Sequence, residues 1–155
     1  VLLFAILVAG GCNQADDSDN STRYPDKVTI YLKAYEDGNA MKLRMSDSRE
    51  GTGADAKTYY TDVGPGTKVV WKRAKDSQIS SIKKVGPATD KGPIFPGDAK
   101  SIFGKIRRIK VPANAPVPKD KEEETVEQYE IIFKDKKHNT DWPIDPYLRI
   151  RGTDQ

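Results

Sequence analysis

Val28-Thr-Ile-Tyr-Leu-Lys-Ala-Tyr35 alternates four apolar residues, Val28, Ile30, Leu32 and Ala34, with Thr29, Tyr31, Lys33 and Tyr35. A period of two is the mark of a strand that buries one face and shows the other to water. Asp37-Gly38-Asn39 supplies a turn, and Met41, Leu43 and Met45 then alternate with Lys42 and Arg44, as in a hairpin or a corner between two strands. The pattern continues outward from this pair. Strands are predicted over 58–63, over 67–73 behind the Gly64-Pro65-Gly66 turn, and over 79–85, 104–111, 126–134 and 147–151. Trp71 is expected at the centre of the core.

No segment of ten or more residues sustains helical spacing. The nearest is 98–109, where Ile102, Phe103, Ile106 and Ile109 recur at helix-like intervals. Gly104 interrupts that run and Val111-Pro112 ends it, so a strand is the expectation there. Seven or eight short strands, with most of the ten prolines and twelve glycines between them, predict an all-β fold, an antiparallel Greek-key sandwich over residues 24–152 with 153–155 as a tail. A domain of ~130 residues hides about two thirds of its unfolded surface, enough for one core and too little for two. Two long connections, 86–100 and 112–125, are of a length that often carries function. The plainer readings are that Phe95 plugs one end of the sandwich and that the charge run Lys119-Asp-Lys-Glu-Glu-Glu124 is a solvated loop.

The amino-terminal stretch Val1-Leu-Leu-Phe-Ala-Ile-Leu-Val-Ala-Gly-Gly-Cys12-Asn13 holds the only cysteine of the chain. An apolar run, small residues and then a lone cysteine resemble the lipobox of a bacterial lipoprotein signal peptide. The resemblance implies that residues 1–11 are a signal segment, truncated at its start, and that Cys12 is the lipid-attachment site. Nine apolar residues suit a signal core and fall short of the ~20 needed to span a bilayer. Ala9 stands where that motif usually has Leu. Two other readings stay open: cleavage by the ordinary signal peptidase, leaving Cys12 a free thiol, and an apolar edge strand. Residues 12–23 are polar and acidic and predict a disordered tether. Extended at ~3.3 Å per residue, they span up to ~40 Å. Asn13, with the acidic cluster Asp16, Asp17 and Asp19, resembles the signal that sends some lipoproteins to the outer membrane; an ordinary linker is the alternative. The expected location is the cell envelope, with an acyl anchor in the membrane and an envelope glycan or protein as partner.

Tyr129-Glu-Ile-Ile-Phe133 leads through a loop to Asp145-Pro146 and the alternating Tyr147-Leu-Arg-Ile-Arg151. This ending resembles the last strand pair of cupredoxin-like domains, and Thr67-Lys-Val-Val-Trp71 resembles the strand before their first copper ligand. The resemblance implies a cupredoxin-like or immunoglobulin-like sandwich. It does not carry the copper over: a blue-copper site takes two His and one Cys, whereas this chain has one histidine, His138, and its cysteine lies in the signal region. No metal and no cofactor are expected.

His138 sits in the charged turn Lys136-Lys-His-Asn-Thr140 and is read as an exposed, inert residue. Gly51 to Thr58 lacks the glycine a phosphate loop needs before its lysine. Asp141 and Asp145 flank Trp142-Pro143, a pair that a glycan-directed hydrolase uses at a set separation; turn-forming aspartates beside prolines are the plainer explanation. Lys105 and Arg107, on one face of a predicted strand, suit an anionic glycan or lipid headgroup, against the alternative of charges guarding an edge strand. Trp142, Tyr147, His138, Lys105 and Arg107 form the candidate binding surface. The formal charge of +3, with both signs mixed along the chain, argues against nucleic acid. The expected function is a non-enzymatic binding or structural module, with the hydrolase using Asp141 and Asp145 as the alternative.

Overall fold

The computed structural model describes residues 24–152. The expected signal segment, Cys12, the tether and the tail lie outside the described residues. The fold is an all-β sandwich of eleven strands: β1 (Lys27–Asp37), β2 (Ala40–Ser46), β3 (Ala54–Asp55), β4 (Tyr60–Asp62), β5 (Lys68–Arg73), β6 (Ile79–Pro87), β7 (Lys100–Ile102), β8 (Ile106–Lys110), β9 (Glu124–Asp135), β10 (Asp141–Ile144) and β11 (Tyr147–Arg151). One sheet runs β3-β2-β1-β5-β8-β7; the other runs β10-β9-β11-β4, with β6 also paired to β9.

The alternation in β1 does what its period requires. Ile30, Leu32 and Ala34 are buried, and β2 returns antiparallel so that Leu43 and Met45 share the same inner face. The sheets are mixed rather than antiparallel throughout. β1 lies parallel to β5, with Ile30 opposite Trp71, and β11 lies parallel to β4, with Tyr147 opposite Tyr60. Parallel neighbours need a long crossover, and the chain between β1 and β5 provides one by visiting β2, β3 and β4 on the way. Three further local differences have plain causes. The predicted strand over 58–63 is shortened because Asp55 accepts a hydrogen bond from the Lys57 amide at 2.9 Å and winds 56–58 into a 3-10 turn. Residues 98–109 form a hairpin, β7 and β8, rather than a single strand or a helix. Asp141 to Ile144, read as a turn, is the edge strand β10, where the missing N–H of Pro143 is tolerated.

The two inner faces meet in one core cluster. Trp71, Phe95 and Tyr129 sit at its centre with ring centroids 5.3–5.7 Å apart, and the Trp71 indole donates to the Tyr129 hydroxyl at 3.1 Å. Phe95 reaches this cluster from the 86–100 connection and packs within the core rather than only capping one end. Glu127 on β9 latches it: its carboxylate accepts from the Ile94 amide at 2.8 Å and the Phe95 amide at 3.0 Å.

Candidate anion-binding face

The outer face of the six-stranded sheet is built by the residues that alternate with its core positions. Strand register sets them in rows. Lys27, Lys68 and Lys110 stand opposite one another on β1, β5 and β8; Thr29, Val70, Arg108 and Lys100 form the next row; Tyr31, Lys72, Ile106 and Ile102 form the third. Six of these side chains are cations, Lys27, Lys68, Lys72, Lys100, Arg108 and Lys110, and none is a carboxylate. None of the six makes a side-chain hydrogen bond or ion pair among the described residues. Like charges set directly opposite destabilise a sheet. Edge protection does not account for the five on β1, β5 and β8, which are interior strands; Lys100 alone lies on an edge strand, β7.

Two open grooves cross this face. One, of about 680 Å³, is lined by Lys27, Lys68, Lys100, Arg108 and Lys110, with Asp98 its one acid. The other, of about 550 Å³, lies by the third row, where Arg49, Lys75 and Lys105 join Lys72 around the single acid Asp76. Arg73 and Lys136 also line it, but their heads bond to backbone: Arg73 donates to Ile79 O and Lys136 to Ser77 O, both at 3.0 Å. The cationic surface is thus four strands wide, with no acid in its rows.

The opposite sheet has a different electrostatic character. On its outer face Arg149 donates to Asp62 at 2.7 Å and to Glu124 at 3.3 Å, while Arg151 lies 3.4 Å from Asp62. Hydrogen bonding to Asp62 raises the Arg149 pKa further, so this charge is fixed and neutralised in place. Tyr147 belongs here, stacked on Tyr60 with centroids 5.0 Å apart, and its hydroxyl accepts from Gln128.

The predicted surface residues are therefore not one site. His138 and Trp142 do meet, ring to ring at 6.4 Å, at the turn between β9 and β10. What joins them is the buried carboxylate of Asp135, which accepts from the His138 amide at 2.6 Å, the Trp142 indole at 2.8 Å and the Thr140 amide at 3.2 Å. His138 Nδ1 lies 3.2 Å from the same group. Burial by itself pushes the Asp135 carboxyl up, but these donors outweigh it and hold the group well below the usual carboxylate range. A carboxylate so occupied organises a turn. Asp141 and Asp145 are both exposed, and neither side chain makes a hydrogen bond or ion pair among the described residues.

Lys105 lies in the β7–β8 turn rather than on a strand. Arg107 faces inward, donating to the carbonyls of Ile82 and Lys83 on β6, so it ties the sheets together and is not shared with Lys105. The mixing of signs along the sequence does not extend to these three rows: register sets their six cations side by side. Its lysines could be found only by adding register to alternation, since Lys68 and Lys72 are far from Arg108 and Lys110 in the chain. No family model matches the chain, and comparison with curated proteins gives no match.

Proposed function

We propose that this protein is a lipid-anchored module of the bacterial cell envelope, attached through Cys12, whose sandwich binds an anionic partner without catalysing a reaction. The row Lys27, Lys68 and Lys110 carries the reading: three opposed cations, on three interior strands, with no ion pair among the described residues. A fold gains nothing from that arrangement by itself, whereas an anion lying across it relieves the repulsion. Nothing observed at Asp141 and Asp145 favours the hydrolytic alternative. The nearest aromatic, Trp142, already spends its indole N–H on Asp135.

The test is retention of the full chain, carrying Cys12→Ser so that no acyl chain contributes, on immobilised dextran sulfate. Salt-labile retention of the parent chain and its weakening by Lys68→Glu are expected, and no retention at low salt would refute the anion-binding face. Attachment is tested separately by palmitate labelling of the Cys12 and Cys12→Ser chains in cells; equal labelling would sink the anchor.

A further inference from the structure

The β7–β8 hairpin carries a residue that its turn chemistry does not want. Phe103 and Gly104 are the two central residues, both at positive φ (52° and 65°), and the Lys105 amide closes the turn onto Ile102 O at 3.2 Å. Tight turns with both central residues at positive φ favour Asn, Asp or Gly in the first position, because a bulky side chain is strained in the left-handed region. Phe103 is also 94% exposed. It therefore lowers stability through its backbone and recovers nothing by packing.

Its sequence neighbours give the exposure a chemical setting. Ile102 and Ile106 flank the tip, both half-buried and both in the third row of the basic face. Lys105 follows in the turn itself, and Lys72, Arg108 and Lys100 stand behind the tip. An apolar point next to unpaired cations matches the boundary of an anionic bilayer, where phosphate headgroups meet lysine and the acyl layer receives an aromatic ring. The cations are spread in two dimensions over four strands, as a planar surface requires, rather than along the single track a linear polymer follows.

We infer that the basic sheet face docks flat on an anionic phospholipid leaflet with Phe103 inserted as its apolar tip. This rests on the reading of that face as anion-binding and adds the class of partner. The probe is the full chain carrying Cys12→Ser, sedimented with phosphatidylcholine vesicles that contain or lack phosphatidylglycerol, alongside soluble dextran sulfate. The expected result is binding to the anionic vesicles alone. Phe103→Asn, which suits the turn better and so does not threaten folding, should lower vesicle partitioning about tenfold and leave dextran sulfate binding unchanged. Lys68→Glu should weaken both, by about twenty-five-fold on vesicles, as each cation near the surface is worth about fivefold and a reversal counts twice. Unchanged vesicle binding by Phe103→Asn would overturn the inserted tip. Dextran sulfate binding without vesicle binding would overturn the leaflet while keeping the anionic partner, a soluble envelope polymer then being its class. Binding to neither would remove both.

Discussion

Replacing Lys68 by Glu should make the protein more stable, and by a calculable amount. Lys68 stands between Lys27 and Lys110 on the exposed outer face, opposite both. Taking the opposed charges as ~6 Å apart in water, each pair repels by about 0.7 kcal/mol. Screening at physiological ionic strength roughly halves this to about 0.3 kcal/mol. Reversing the central charge removes two such repulsions and creates two attractions of similar size. The gain is then about 1.2 kcal/mol, a ceiling for side chains free to swing apart. Lys and Glu are similarly disfavoured in strands, so intrinsic propensity adds little. For a domain of about this size the gain corresponds to a melting temperature higher by about 4 °C. Lys68→Gln should give about half of that. Thermal unfolding followed by far-UV circular dichroism at low and at high salt measures it, and the difference should vanish near 1 M salt, where the screening length is ~3 Å. A Glu variant no more stable than the parent at low salt, or a gain indifferent to salt, would refute the repulsive row.

Three other outcomes follow from contacts elsewhere in the fold. Glu127→Ala leaves the Ile94 and Phe95 amides without their acceptor; at about 1.5–3 kcal/mol for a hydrogen bond to a charged group, the latch is expected to cost about 3 kcal/mol. Hydrogen exchange should then accelerate at those two amides before it does in β1 or β5. Tyr129→Phe strands the buried Trp71 indole donor and should destabilise by about 1–2 kcal/mol in a denaturant titration, with no change in affinity for dextran sulfate. Asp135, whose carboxyl is held below its ordinary value, contributes stability that is present above the unfolded pKa of ~4 and is lost as the pH falls through the folded value. Asp135→Asn should therefore be less stable at neutral pH and lose less between pH ~4 and pH ~2, as read by acid titration of tryptophan fluorescence.

The fold was legible where one strand face is buried. The alternation at Val28 to Ala34, at Met41 to Met45 and at Leu148 and Ile150 marks core positions directly, because a slip of one residue would turn every apolar side chain to water. Trp71 and Phe95 were legible for the same reason, as large apolar residues with nowhere else to go. Direction was not legible: nothing in β1 or β5 distinguishes a parallel from an antiparallel neighbour. β10 was hidden by its proline, and the β7–β8 hairpin by a turn whose first residue is Phe103 in place of Asn or Gly. Tyr147 and Trp142 are near in sequence yet serve different sheet faces, since Ile144 and Leu148 point inward on either side of the break at Asp145-Pro146.

The basic face was the least legible feature, and the reason bears on what it does. A formal charge of +3 from 26 cations and 23 acids describes a nearly balanced chain. Balance over the whole hides local sorting: acids on β4 and β9 neutralise the arginines of β11 and Asp37 pairs with Lys42 at the far end of β1, while the three rows shared by β1, β5, β8 and β7 contain none. Random mixing of signs would have left carboxylates in those rows, and selection for stability would have favoured them. The two departures from what stability prefers, the Lys27, Lys68 and Lys110 row and the left-handed Phe103, also fall at the two ends of β8 in one sheet. Each costs on the order of 1 kcal/mol, tolerable beside a total of ~5–15 kcal/mol. Independent accidents have no reason to share a strand pair, whereas a binding region gathers such costs where its partner removes them.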